Sequence, residues 1–230
     1  MQTHAETSLP TPQIQPQPLP QLPSRPEPER RVTLYGVRWE TYEHLLIDLA
    51  NCSVPRVTFD QGVLEIMSPT AEHEEYKHML TLLVEVAAEE FRVNLRGLGS
   101  TTFKRPDLQK GFEPDSCFYI QSAPRIRGKR QIELPEDPPP DLLIEIDITS
   151  SSINRFALFA EAGVPEVWRH DGSRVQIFTL VGKEYAEVEK SVAFPLLTNE
   201  VITRFVEDGI ELERLEWLRR VRDWARQQHK

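Results

Sequence analysis

The chain has 230 residues and carries 27 Lys and Arg against 36 Asp and Glu, a formal charge of -9. General coating of nucleic acid is thereby excluded, because the whole-molecule field repels a polyanion and any such partner must be met by a local basic patch or a bound cation. The length suits one compact domain with extra segments, no apolar run approaches the roughly 18–20 residues that span a bilayer, and the charged-then-apolar order of a signal peptide is missing, so a soluble, cytoplasmic protein with no membrane partner is expected.

Residues 1–30 hold eight of the 19 prolines, interleaved with Gln and without a periodic apolar face, and read as a disordered tail. A restriction to 31–198 is expected for the main domain, with 199–230 as a helical extension. In "TLYGVRWETYEHLLIDLA", Tyr42, Leu45, Leu46 and Leu49 fall at helical spacing. "RVTFDQGVLEIMSP" predicts two strands around a turn at Asp60-Gln61-Gly62, ended by Pro69. "TAEHEEYKHMLTLLVEVAAEEFRV" predicts a long helix capped by Thr70. "LGSTTFKR" and "DSCFYIQ" read as strands separated by a loop at Gly111. Cys52 and Cys117 lie in or beside apolar runs and read as buried thiols rather than as a disulfide or a zinc site.

"PPPDLLIEIDITSSSINRF" predicts a strand and then a helix from about Ile153 to Ala162, with Ser150, Ser151 and Ser152 as candidate N-caps and Gly163 as its end. "VPEVWRHDGSRVQIFTLVGKEYAEVEK" alternates as a three-stranded meander, with His170 expected to be exposed before the turn. From Asn199 on the chain reads as helical, with a break near Gly209 and an apolar face through Leu212, Leu215, Leu218 and Trp224. That face serves either core packing or a homodimer seam. The fold class is α/β or α+β around a mixed sheet.

The chemistry concentrates on acids. Alternation puts Asp141, Leu143, Glu145 and Asp147 on one face of the strand and Leu142, Ile144, Ile146 and Ile148 on the other. Carboxylates two residues apart, about 4–7 Å, repel by on the order of a few kcal/mol in a partly desolvated cleft unless a cation or proton intervenes. Mg²⁺ or Mn²⁺ suits such oxygen donors. Asp115, at the mouth of the Cys117–Ile120 strand, reaches Glu145 if the two strands are neighbours, and Glu74 on the long helix is a third candidate. The plain alternative is that Asp141 begins a strand, Asp147 ends one, and the acids face solvent. His73 and His78, five apart, do not share a helix face as zinc ligands would.

"MSPTAEHEEYK", "EPDSCFYI", "PPPDLLIEIDITSSS" and "RFALFAEAGVPEVWRHDG", in this order, resemble the Uma-two family of restriction-endonuclease-like proteins over residues 35–195. The resemblance implies a branch of the PD-(D/E)XK nucleases: a mixed central sheet flanked by helices, here with an added antiparallel meander, and DNA cleavage with Mg²⁺. By position, Asp115 matches the first acid of the superfamily, Glu145 the acid of its E-x-K motif and Glu74 the helical Glu, while Ile146 offers a carbonyl to the metal. The Lys position holds Asp147, and Arg155 stands where the family often has a Lys. An Arg can neutralise phosphate charge but stays protonated and cannot act as a base. Two functions follow. One is a Mg²⁺-dependent endonuclease in which Glu74, Asp115 and Glu145 hold the ion and Arg155, with Lys77 or Lys104, balances charge. The alternative is a catalytically decayed nuclease fold serving as an oligomeric nucleic-acid-binding or interaction module.

Overall fold

The computed structural model of the chain describes residues 29–52, 54–148 and 151–228. The expected tail up to residue 28 and the Ser150 cap candidate lie outside them. Glu29 and Arg30, at the end of that tail, belong to the fold: Glu29 is buried and Arg30 opens the first strand.

In chain order the elements are β1 (Arg30–Tyr35), α1 (Trp39–Asp48), β2 (Arg56–Asp60), β3 (Val63–Ser68), α2 (Ala71–Phe91), β4 (Arg96–Gly97), β5 (Phe103–Arg105), β6 (Lys110–Phe112) and β7 (Ser116–Tyr119). They continue with β8 (Leu142–Ile146), α3 (Arg155–Ala162), β9 (Glu166–His170), β10 (Val175–Val181), β11 (Glu184–Val188), α4 (Asn199–Glu211) and α5 (Arg214–Gln227). The β2–β3 hairpin turns at Gln61 and Gly62, both with positive φ, as a tight hairpin requires. Thr70 caps α2 by accepting from the His73 amide at 3.2 Å.

Among the described residues the strands form two sheets. One is antiparallel, in the order β1-β3-β2-β6-β5. The other is mixed, in the order β11-β10-β9-β8-β7-β4, with β8 and β9 parallel and α3 as their crossover. The expected meander is therefore an arm of the mixed sheet itself, because β9 pairs with both β8 and β10.

Both faces of β8 are dry. Leu142, Ile144 and Ile146 pack under α2, α4 and α5 with Leu80, Trp168 and Trp217. Leu143 turns the other way, into a second core with Phe112, Leu158 and Phe159. Each such side chain contributes about 1.5–3 kcal/mol of burial, so the strand is anchored from two sides. A third cluster, of Tyr42, Val57, Phe59 and Leu64, joins α1 to the antiparallel sheet.

Several local expectations are corrected. Gly111 lies inside β6 rather than in a loop, because the Tyr42 phenol packs where its Cβ would be. The cap of α3 is Asn154, whose side chain accepts from the Ala157 amide, while Ser151 and Ser152 serve Glu65 instead. Gly209 lies within α4, and the helices part at Leu212 and Glu213. On α5 the buried stripe is Trp217, Val221 and Ala225; of the expected face, Leu212, Leu218 and Trp224 pack against the core beside it and Leu215 is exposed. That stripe packs within the chain, and Arg222 and Arg226 pair with Glu90 of α2. Cys117 is buried but Cys52 is exposed. His170 is buried, stacked on Tyr76 with ring centroids 4.0 Å apart. No described helix is long and apolar enough to cross a membrane.

Candidate active site

Antiparallel pairing of β7 with β8 sets Ser116 opposite Ile144, which brings Asp115, just ahead of β7, beside the end of β8. There Asp115 Oδ2 accepts from the Ile146 amide at 2.6 Å. The carbonyl and amide of one strand residue leave on the same side, so the Ile146 carbonyl lies on the edge of β8 that faces β7. Asp115 is 2% exposed and Glu145 is 5% exposed. The plain alternative, acids on a solvent face, therefore fails for these two.

Asp141 has a different task. Its carboxylate accepts from the amides of Ile120 and Ser122 at 2.6 and 2.8 Å and from the Ser122 hydroxyl, which fixes the chain after β7 to the start of β8. Asp147 is half-buried, with its nearest cation, Arg169, at 3.9 Å.

Two guanidinium groups offset the buried charge. Arg155, on the first turn of α3, meets Glu145 at 3.0 Å and donates to the Glu113 carbonyl at 2.8 Å. Arg56, on β2, is ion-paired with Asp115 and, at 2.6 Å, with Glu74. Arg56 was not singled out by the sequence, yet it links two of the predicted acids. Burial lowers the pKa of its guanidinium, and the charges of Glu74 and Glu145 oppose that. At Glu145 burial prevails as well: it holds the carboxyl above its ordinary range despite Arg155 and Arg56. Burial thus outweighs the ion pairs at both groups.

His73 and Glu29 complete the arrangement. His73 is fully buried, with Nδ1 against the Glu29 carboxylate and Nε2 lying 2.8 Å from Asp115 Oδ1 and 3.2 Å from Arg56 Nη1. Burial lowers its pKa, with the Glu29 hydrogen bond opposing. A neutral ring donating from Nδ1 to Glu29 leaves Nε2 to accept from Arg56, the tautomer assigned from this network. Glu29 is in turn 2.9 Å from Arg31, which bridges to Glu65 at 3.0 Å. Glu65 accepts from Ser151 and Ser152 and so ties the segment after β8 to the antiparallel sheet.

The predicted set is thus assembled in pairs. Asp115 touches Ile146, Glu74 reaches Asp115 through Arg56, and Glu145 pairs with Arg155. Lys77 is engaged by Glu74 at 2.8 Å, and Lys104 by Glu43 at 3.1 Å. Among the described residues no three His, Cys, Asp or Glu side chains stand close enough together to hold a metal ion. The donors nevertheless are of the kind a hard cation takes, carboxylate and carbonyl oxygens.

The chain is similar in structure to a protein described as "a putative nuclease belonging to DUF820 from Anabaena variabilis ATCC 29413", with 16% sequence identity and a TM-score of 0.46, over 65% of this chain and 90% of that one. No curated protein matches it. The model of one family, Uma2, described as "Putative restriction endonuclease", matches residues 39–213, more than half of the chain. With the acidic strand pair and its crossover helix inside that span, the chain belongs to the Uma2 family.

Proposed function

We propose that the protein is a nuclease that hydrolyses phosphodiester bonds in DNA with Mg²⁺ or Mn²⁺. The observation that carries this reading is the meeting of Asp115 with the end of β8, where two buried acids, each paired with an arginine, stand beside a cleft lined by Glu145, Ile146 and Arg155. Asp115, Glu145 and the Ile146 carbonyl would hold the ion, with Glu74 at its rim. The ion would supply Lewis acidity and an acidified water. His73, held by Glu29, accepts from Arg56 and so keeps in place the guanidinium that pairs with Asp115. Arg155 balances charge developing on the phosphate, a role that a fixed guanidinium performs without losing a proton.

A second reading, nucleic-acid binding without hydrolysis, draws on Arg56 lying between Asp115 and Glu74 and on Asp147 at the usual Lys position. One experiment separates them. Purified protein is incubated with supercoiled plasmid and Mg²⁺ or Mn²⁺ beside a Glu145→Ala control. Nicking by the wild type alone supports hydrolysis at this site. Nicking that survives the substitution removes the mechanism, and plasmid retention without nicking supports the second reading.

A further inference from the structure

Two cavities share a wall, and the first of them takes in Glu145, Ile146 and Arg155 of the acidic centre. The first, of about 210 Å³, is lined by Arg31, Arg155 and Arg169 against Glu145 and Asp147, an excess of positive charge in an acidic protein. The second, of about 600 Å³, is lined by Phe156, Phe178 and Tyr185 and lies within the roughly 300–1,000 Å³ of small-molecule sites. Asn154, Phe156 and Arg169 line both.

Arg169 is built into the shared wall. Its guanidinium lies 5.6 Å from the Phe156 ring centroid and 5.3 Å from that of Phe178. Phe156 in turn packs edge-on against Phe178 and Tyr185 at 4.8 and 5.2 Å. One Arg169 nitrogen donates to Gln176 at 2.7 Å, while its Nε, like the Nε of Arg155, is buried without a hydrogen-bond partner among the described residues. Two buried guanidinium donors without acceptors call for an anion, because an unmet buried donor costs free energy. Three half-buried aromatic rings beside them offer a face to a planar ring.

We propose that this double cavity binds one nucleotide unit of the substrate strand, next to the bond that is cut: the phosphate between Arg155 and Arg169, and the unstacked base on the Phe156, Phe178 and Tyr185 side. The proposal rests on the nuclease reading for its biological setting, but its test does not. Binding of thymidine 5′-phosphate is measured by calorimetry in EDTA, with inorganic phosphate and thymidine as separate arms. Saturable binding of the nucleotide is expected, about tenfold or more tighter than either half alone, and Arg169→Met is expected to weaken it about tenfold. Phe178→Leu is expected to weaken the nucleotide while leaving inorganic phosphate unchanged, which keeps the test decisive if Arg169→Met fails to fold. No nucleotide binding by the wild type, or binding indifferent to both substitutions, overturns the proposal. Inorganic phosphate binding as tightly as the nucleotide overturns the base site. Because no metal or cleavage is involved, loss of this proposal leaves plasmid nicking untouched, and absence of nicking leaves nucleotide binding measurable.

Discussion

Arg56 and Asp115 are joined as an ion pair in the interior, a guanidinium from β2 closing on the carboxylate that precedes β7. Both are nearly inaccessible, at 4% and 2% exposure, so neither charge is relieved by water. Removing one member of a buried pair typically costs about 3–5 kcal/mol, because the other is left uncompensated. Arg56→Ala should therefore lower the melting temperature in EDTA. It should also free Asp115 and Glu74 for a metal, so that Mn²⁺ raises the melting temperature of the variant by more than it does that of the wild type. Thermal melts with and without Mn²⁺ test this, and equal Mn²⁺ shifts in the two proteins would sink the idea that the guanidinium and a metal compete for the same oxygens.

His73 acts on the same carboxylate through Arg56, whose guanidinium donates to its ring. Its replacement by Leu leaves Glu29 without its Nδ1–H donor and Arg56 without one acceptor, each in the interior. An unsatisfied buried group costs about 1–3 kcal/mol, so urea unfolding should show a loss of that order or more. A variant with unchanged unfolding midpoint would show that the Glu29–His73 contact contributes nothing.

The sequence made legible what local pattern controls. Thr70 announces α2 because a cap and its amide are three residues apart, and the alternation of β8 follows from side chains pointing to opposite faces. The cations that balance the acids were legible only in part. Arg155 lies ten residues beyond Glu145, but Arg56, His73 and Glu29 converge on Asp115 from distant segments. Helix-face spacing to His78 carries no information on His73, whose partners Glu29, Arg56 and Asp115 come from other segments. The usable signal was a charge argument: a buried Asp beside β8 demanded a cation, and the interior-facing β2 strand opens with one.

Gly111 makes the same point from the packing side. The glycine sits opposite Phe59 and Lys104 in the sheet, and a side chain there would occupy the space of the Tyr42 phenol, which is itself wholly buried. Overpacking of this kind costs about 1–3 kcal/mol, so Gly111→Ala should destabilise the protein by that amount. The double variant Gly111→Ala with Tyr42→Phe should recover part of the loss, since removing the hydroxyl makes room. Unfolding curves that place the double variant below both single ones would contradict this account.

His170 gives the protein a pH dependence of definite sign. The ring is stacked on Tyr76, its Nδ1 accepts from the Gly172 amide at 3.1 Å, and Asp171 is the charged neighbour that favours protonation. Burial outweighs Asp171 and pushes the pKa down to about 4 from 6.5. Between those values the unfolded chain binds the proton more readily than the folded one, so acidification favours unfolding. The contribution is complete above about pH 6.5, declines by at most about 1.4 kcal/mol per pH unit as pH falls, and is exhausted near pH 4. Its total is on the order of 2 kcal/mol once solvent screening is allowed for. His73 titrates in the same direction but is common to both proteins when the wild type is compared with His170→Gln, which keeps a hydrogen-bond acceptor and cannot charge. Urea unfolding at pH 7.5, 6 and 5 should therefore show the wild type losing stability faster than the variant, with the two curves parallel above pH 7. Parallel curves over the whole range would mean that His170 is solvated enough to take its proton without unfolding.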